Sequence, residues 1–270
     1  MLNFLKEKIN IISRQVNDKN YREFLRLLIK FGSVLRNETK KIDFLNYQIT
    51  VVDCLSFIYQ FKEIFVKGAY LFKTENSSPL IYDCGANIGV SCLYFKSIYP
   101  NAKIKAFEAD PSIAKVLEQN LKNNSIIDVE VISKAVWTNN GGVEFSSDNA
   151  DGGSIFGSKN KTKVESIRLK NLLEKEDKIN LLKIDIEGAE AEVLEDCRQS
   201  LTNVERIFVE YHGWKNSPQK LDVVLSILTE NNFRYFIESI SELEKPFTDT
   251  TKIKETDLQL NIYAVKVNES

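Results

Sequence analysis

Histidine is almost absent from this chain of 270 residues, and His212 is the single example. Any imidazole that takes part in chemistry must therefore be this one. The four cysteines form no CxxC pair and show no metal-ligand spacing, which favours reduced, buried thiols over a zinc site. No apolar run is long enough to span a bilayer, and charges at positions 6–8 interrupt the place where a signal peptide needs an apolar centre. We therefore expect a cytoplasmic protein without a transmembrane segment.

Charge is unevenly distributed along the chain. Residues 1–73 contain thirteen Lys or Arg against seven acidic residues, although the whole chain carries a formal net charge of −2. A basic segment can attract anionic partners, but the interspersed acids and aromatics favour a solvated helix face, and we expect no nucleic acid. The helical spacing of Phe24, Leu25, Leu28 and Ile29 predicts a helical amino-terminal extension over residues 1–70. Its apolar stripe needs a cover, either the remaining domain or a second copy in a homo-oligomer.

From residue 71 onward, short apolar segments alternate with helical ones. LIYDC, KIKAFEA, LLKIDIE and RIFVEYH are typical of buried strands, and SIAKVLEQNLKNN is typical of the helices between them. Such alternation predicts right-handed βαβ units. The linker before the last strand is too polar for a crossover helix, so the last two strands should pair antiparallel. We predict an α/β fold over residues 71–270: a Rossmann-like, doubly wound, mostly parallel seven-stranded sheet with an antiparallel carboxyl-terminal strand.

The stretch LIYDCGANIGVSCLYF, residues 80–95, ends a strand on Asp83 and turns at Gly85 and Gly89. In dinucleotide folds the second glycine of G-x-G-x-x-G admits a pyrophosphate, but Asn87 stands in its place here. The Asp83 carboxylate suits an ammonium group better than a phosphate. Glu108 ends the next strand and can accept both hydroxyls of a ribose. An amino-acid group and an adenosine without phosphates describe S-adenosylmethionine, which we predict as the cofactor.

Four segments in this order and spacing, IYDCGANIG, AFEADPS, LLKIDIEGAEAEVL and FVEYH, resemble the FkbM-type S-adenosylmethionine-dependent methyltransferases. The D-x-G-A-N-x-G turn is shared with many class I methyltransferases, whereas KIDIEGAE over residues 183–190 is more specific. The resemblance implies methyl transfer to an oxygen of a sugar, glycan or natural product. It also implies cofactor contacts at Asp83, Gly85, Ala86, Asn87, Gly89 and Glu108, with Ala135 beside the adenine ring.

Two strands end in groups suited to acceptor chemistry: Asp185, Glu187 and Glu190 follow LLKI, and Glu210 and His212 follow RIFV. Glu187 and Glu190 could instead simply begin a helix, where the helix dipole favours acidic residues. A sugar hydroxyl has a very high pKa, so methyl transfer to it needs a general base or a metal ion. In one arrangement His212 is the base, with Glu210 or Asp185 orienting it. In the other, Asp185, Glu187 and Glu210 hold Mg²⁺, which binds vicinal hydroxyls of the acceptor.

Three functional classes remain open from the sequence. The leading one is an O-methyltransferase acting on a saccharide or natural-product acceptor. A nicotinamide-dependent oxidoreductase is disfavoured by the missing middle glycine. A catalytically inactive, cofactor-binding interaction module is disfavoured by the joint presence of Asp185, Glu210 and His212. The glycine-rich segment 149–160 could form a lid over the acceptor, which we favour, or a surface connection between two short strands.

Overall fold

The structure is a computed structural model that describes residues 17–146, 161–215, 217–240, 247–248 and 256–267. The predicted lid at 149–160 and the first part of the predicted extension, residues 1–16, lie outside these ranges. None of the described helices combines the length and the apolar character needed to cross a bilayer.

A seven-stranded sheet forms the centre of the fold and confirms the predicted architecture. The strands are β3 (Leu80–Cys84), β4 (Lys103–Phe107), β5 (Val129–Ile132), β10 (Leu181–Ile184), β11 (Arg206–Trp214), β12 (Phe233–Ser239) and β13 (Thr256–Lys266). Their spatial order is β12-β13-β11-β10-β3-β4-β5. All neighbouring strands from β11 to β5 are parallel, and β13 runs antiparallel to both β11 and β12.

Among the described residues from position 71 onward, five helices and two small two-stranded ladders accompany the seven-stranded sheet. β10 is buried along its whole length because helices cover both faces of a parallel sheet. Asp110 caps the second of these helices and Pro111 occupies its first turn, as suits a helix start. The helices are α3 (Val90–Ile98), α4 (Pro111–Asn123), α5 (Lys170–Leu173), α6 (Glu190–Asp196) and α7 (Leu221–Glu230). The small ladders pair β6 (Ala135–Trp137) with β9 (Ser166–Arg168) and β7 (Val143–Ser146) with β8 (Lys161–Val164).

Within its described part the extension is helical apart from one hairpin, which the sequence did not predict. Helix α1 (Lys19–Phe31) is followed by an antiparallel hairpin, β1 (Lys40–Phe44) and β2 (Tyr47–Val51). Helix α2 (Cys54–Phe61) then continues into a π-helical turn, Lys62–Val66. The hairpin forms because its apolar residues alternate along the chain and bury one face, a period of two that cannot serve a helix.

The extension shares a hydrophobic core with the sheet-covering helices. Phe24 and Leu27 of α1 belong to the same cluster of buried residues as Leu93 of α3 and Leu117 of α4. Aromatic rings bind the layers together: Phe44 packs on Phe57, Phe61 and Phe65, and Phe65 packs on Tyr94 of α3. The apolar stripe of α1 is therefore covered largely by its own chain.

Asp53 joins the hairpin to α2, and its removal is expected to destabilise the extension. Its buried carboxylate accepts hydrogen bonds from the backbone of Ser56 and Asn37, each at 2.9 Å, and pairs with Arg36 Nε at 2.5 Å. Helix caps contribute about 0.5–2 kcal/mol, so Asp53→Ala should lower the free energy of unfolding by about 2 kcal/mol near neutral pH. The matched control is Asp18→Ala at the start of α1, because the exposed Asp18 carboxylate accepts one hydrogen bond, from the backbone of Tyr21. This substitution should lower the free energy of unfolding by less than Asp53→Ala does.

The same carboxylate makes this loss pH-dependent. Burial opposes ionisation of Asp53, but its hydrogen bonds outweigh burial and lower its pKa from 3.8 to about 2. A depressed folded-state pKa means that the stabilisation is complete above about pH 4 and is lost as the pH falls toward 2. In urea unfolding, the difference between wild type and Asp53→Ala should therefore shrink near pH 3. A difference that is already absent at neutral pH would contradict this role.

Candidate active site

A cavity of about 510 Å³ opens at the carboxyl ends of β3, β4, β10 and β11, within the range of about 300–1,000 Å³ typical of ligand pockets. This is the edge at which open α/β sheets bind ligands. One part of its wall contains most of the predicted cofactor residues, and the other contains the predicted acidic residues of the acceptor side; Asp83, Gly89 and His212 are not on the wall. The predicted residues on the wall are Gly85, Ala86, Asn87, Glu108, Ala135, Asp185, Glu187 and Glu210.

Glycine is required at both turn positions because the chain approaches itself there. Gly85 has φ 86°, and a Cβ at this residue would lie 1.8 Å from the carbonyl oxygen of Asp185. Gly89 has φ 92°, and a Cβ there would lie 2.5 Å from Leu117 Cδ1 of α4. The absence of a side chain at Gly85 thus allows the chain after β3 to lie against the chain after β10 under the cavity.

Glu108 holds the turn from the next strand. Its carboxylate accepts hydrogen bonds from the backbone N–H groups of Asn87 and Asp110, each at 2.9 Å. Burial raises the pKa of Glu108 to about 7. A carboxyl group at this position can accept the hydroxyls of a ribose.

Asp83 does not reach the cavity wall. It is fully buried beneath the turn, where it accepts a hydrogen bond from Ser91 Oγ at 2.5 Å and pairs with Lys183 Nζ at 3.1 Å. The predicted contact between Asp83 and the ammonium group of a cofactor is therefore replaced by a contact with an ammonium group of the protein.

Lys183 is the buried cation that joins the two strand ends. Its Nζ donates to the carbonyl of Gly85 at 2.8 Å and lies 3.3 Å from Asp185 Oδ2. Burial alone would lower its pKa, but the charges of Asp83 and Asp185 outweigh burial and raise it well above the ordinary value. Lys183 is therefore protonated and fixes both the glycine turn and Asp185.

His212 is buried among carboxylates. Its Nδ1 lies 3.1 Å from Glu190 Oε1, and its Nε2 lies 3.6 Å from carboxylate oxygens of both Glu187 and Glu210. Burial opposes protonation, but Glu187 and Glu190 outweigh it and raise the pKa of His212 well above its ordinary value. An imidazolium cannot remove a proton, so the geometry disfavours the predicted role of His212 as a general base.

Asp185 meets the requirements of a base better. Burial and the nearby charge of Glu210 raise its pKa to about 7. Its side chain retains 23% exposure at the cavity. A carboxylate that exchanges its proton near neutral pH has the driving force that general-base catalysis needs.

Glu210 has a lowered pKa and serves a different purpose. Burial favours its neutral form, but its hydrogen bond and ion pair with His212 outweigh burial and keep it ionised. It also accepts a hydrogen bond from Gln259 of β13. Glu210 is thus held in place by its own neighbours rather than directed at a metal ion.

The predicted Mg²⁺ ligands do not assemble as expected. Among the described residues, the group close enough to share an ion is Asp185, Glu187 and His212, whose ligand atoms lie within 4.8 Å of one another. This set contains an imidazole, whereas Mg²⁺ prefers oxygen ligands. The donor set therefore does not fit the predicted magnesium site, and no chemical step is assigned to it.

Sequence reasoning missed Lys183 and Gln259 as contributors to the site, and it left open whether Glu190 belongs to the site or only begins a helix. Glu190 is fully buried and accepts from the backbone N–H groups of Gly188 at 2.9 Å and Ile186 at 3.2 Å, so it shapes the turn after β10 as well as holding His212. Lys183 could have been found as a single cation inside the apolar segment LLKI. Gln259 lies on the distant strand β13 and carries no local signal; only the sheet register brings it opposite His212.

The strand order, the glycine turn and the acidic strand ends together define a class I methyltransferase fold with a ligand cavity at its usual edge. The sequence model of the Methyltransferase FkbM domain matches residues 83–235, and the chain belongs to this family. It is therefore a methyltransferase.

Two curated relatives support this assignment. Methyltransferase sdnD of Sordaria araneosa is 33% identical over 55% of this chain and 70% of its own length. The 2-O-methyltransferase NoeI of Sinorhizobium fredii (strain NBRC 101917 / NGR234) is 28% identical over 51% of this chain and 65% of its own length.

Proposed function

We propose that this protein transfers the methyl group of S-adenosylmethionine to a hydroxyl of a saccharide or of a glycosylated natural product. The observation that carries the proposal is Asp185, a carboxyl group with a pKa of about 7 in the same cavity as the glycine turn and Glu108. The similarity to a protein named as a 2-O-methyltransferase supports oxygen as the methyl acceptor.

The charge of the cavity favours S-adenosylmethionine over a nicotinamide dinucleotide. Glu108, Asp185, Glu187 and Glu210 line its wall. Glu210 stays ionised, whereas burial raises the pKa values of Glu108 and Asp185 to about 7 and that of Glu187 well above its ordinary value. A bound sulfonium or ammonium group is attracted to these carboxyl groups and favours their ionised forms, whereas a diphosphate is repelled. The backbone N–H of Asn87, which could otherwise meet a phosphate, already donates to Glu108.

The reaction is an in-line displacement. The acceptor oxygen forms a bond with the methyl carbon while the bond between that carbon and sulfur breaks, leaving S-adenosylhomocysteine. Asp185 takes the proton of the acceptor hydroxyl as the new bond forms. Lys183 keeps the Asp185 carboxylate in place, and protonated His212 holds Glu187 and Glu210 around the reacting atoms. Such fixed geometry accounts for much of the rate in group transfer.

The direct test is transfer of a deuterated methyl group. The protein is incubated with S-adenosylmethionine labelled as CD₃ and a panel of methyl glycosides of hexoses and 6-deoxyhexoses. The proposal predicts that at least one glycoside gains one CD₃ group, which NMR places on oxygen. Labelling of nitrogen or carbon acceptors instead, with no glycoside modified, would contradict it.

Glu108 should contribute strongly to cofactor binding. Hydrogen bonds to a charged group contribute about 1.5–3 kcal/mol, so Glu108→Ala should weaken S-adenosylhomocysteine binding by about 10- to 150-fold. Glu118→Ala, an exposed position on α4, is the matched control and should bind as the wild type does. Equal affinity of the Glu108 variant and the wild type in calorimetric titrations would exclude Glu108 as the ribose ligand.

A further inference from the structure

Tyr70 is a buried tyrosine whose hydroxyl has no hydrogen-bond partner among the described residues. Its side chain is 8% exposed and lies in the cavity wall. The ring is held edge-on against Phe208, with centroids 4.9 Å apart, and packs beside Phe95 at 5.8 Å. Within the part of the chain that the structure describes, the hydroxyl makes no hydrogen bond. A fixed ring in a cavity wall whose hydroxyl has no protein partner is a candidate for binding a ligand.

The position of Tyr70 is at the reacting end of the cavity. Lys183 Nζ lies 5.7 Å from its ring centroid. Burial is the main cause that raises the pKa of the Tyr70 phenol, and the charged groups that act on it are Lys183, Asp185, Glu210 and Asp83. Lys183 Nζ also lies 3.3 Å from Asp185 Oδ2, so Tyr70 stands near the end of the cavity at which the acceptor meets Asp185. The phenol is therefore neutral and acts as a hydrogen-bond donor.

A second polar group outside the family domain faces the same region. Asn261 of β13 is directly opposite Glu210 in the sheet, and Tyr263 is directly opposite Phe208. Opposed residues of an antiparallel pair share a face, so Asn261 lies on the face against which Tyr70 packs. Among the described residues no donor reaches its buried Oδ1. Both Tyr70 and Asn261 lie outside residues 83–235, so this part of the wall belongs to this chain rather than to the matched family domain.

We propose that the hydroxyl of Tyr70 donates a hydrogen bond to the acceptor hydroxyl next to the one that is methylated, so that Tyr70 selects acceptors with vicinal hydroxyls. This inference rests on the proposed function. The hydrogen bond orients the acceptor so that the reacting hydroxyl faces Asp185 and the methyl group. A donor placed on the neighbouring oxygen leaves the lone pair of the reacting oxygen free for the displacement.

A substrate-analogue cycle tests this role. The glycoside of the panel that is turned over best is compared with its mono-deoxy analogues, each lacking one hydroxyl, in wild type and in Tyr70→Phe. Loss of one neutral hydrogen bond should lower kcat/KM about 2- to 12-fold. One analogue, lacking the neighbouring hydroxyl, should show this loss with the wild type and almost none with Tyr70→Phe, because both changes remove the same hydrogen bond.

Controls separate this inference from the proposed function. The matched control is Tyr235→Phe, which changes an exposed tyrosine on β12. It should leave kcat/KM for the glycoside and its analogues, and the affinity for S-adenosylhomocysteine, unchanged. Affinity for S-adenosylhomocysteine should change less than twofold in Tyr70→Phe; a loss above tenfold would make Tyr70 a cofactor ligand and overturn the inference. Additive losses for every analogue, or a panel in which no glycoside binds the wild type loaded with S-adenosylhomocysteine, would also overturn it. Failure of the wild type to bind S-adenosylhomocysteine at all would instead refute the proposed function.

Discussion

Asp185→Asn is expected to lower kcat by about 10²- to 10⁴-fold, the usual contribution of a general base. The amide keeps the size of the side chain but cannot accept the acceptor proton. The wild-type rate should rise with pH through an ionisation near 7, because the pKa of Asp185 is about 7 and the base is active only when deprotonated. Affinity for S-adenosylhomocysteine should change little, and the exposed Asp177→Asn is the matched control.

Stability distinguishes this catalytic role from a structural one. Because the folded-state pKa of Asp185 is raised, the ionised carboxylate destabilises the folded protein above the unfolded pKa of about 4. Asp185→Asn removes this charge and should therefore raise the free energy of unfolding near pH 8 while it lowers kcat. A variant that loses both activity and stability would show that Asp185 acts mainly through folding. Unchanged kcat would exclude it as the base.

Glu190→Ala is expected to cost about 3–5 kcal/mol of stability, the usual result of breaking a buried charged pair. The substitution leaves His212 with one fewer carboxylate and leaves the N–H groups of Gly188 and Ile186 without their acceptor. Glu190→Gln retains an oxygen for these N–H groups and should cost markedly less. Glu192→Ala on the same helix breaks only an ion pair with Lys220 near the surface and should cost less than about 1 kcal/mol.

The single histidine makes the electrostatic part of this prediction measurable. One imidazole contributes to the NMR spectrum, so its titration is assigned without ambiguity. The pKa of His212 should be well above about 6.5 in the wild type and should fall in Glu190→Gln, because one of the carboxylates that raises it becomes neutral. A raised pKa of this kind stabilises the fold fully below about pH 6.5, and the contribution is lost as the pH rises through the folded-state value. An unperturbed titration in the wild type would contradict the protonated state assigned to His212.

The sequence was sufficient to predict the features that arise from a repeating pattern or from a contiguous motif. Alternating apolar and helical segments predicted the seven-stranded sheet, and the glycine turn predicted the position of the cavity. The hairpin at Lys40–Phe44 and Tyr47–Val51 was missed because only two or three alternating residues in each strand distinguish it from helix.

The roles inside the site depended on distances that spacing does not contain. Asp83 was expected at the ligand, yet Lys183, one hundred positions further along the chain, pairs with it through adjacent strands. His212 was expected to be a base, and its charge is set mainly by Glu187 and Glu190, which come from the neighbouring strand end and helix. Tyr70 and Gln259 lie outside the motifs that the sequence analysis used, and only the folding of the chain brings them to the cavity.

A calorimetric titration of the protein with S-adenosylhomocysteine and, separately, with NAD tests the central claim most directly. The carboxyl groups of the cavity, the proposed ribose ligand Glu108 and the turn without a phosphate site predict that S-adenosylhomocysteine binds with one site per chain and that NAD gives no binding heat. Binding of NAD without binding of S-adenosylhomocysteine would contradict the assignment of the cofactor and, with it, the proposed reaction.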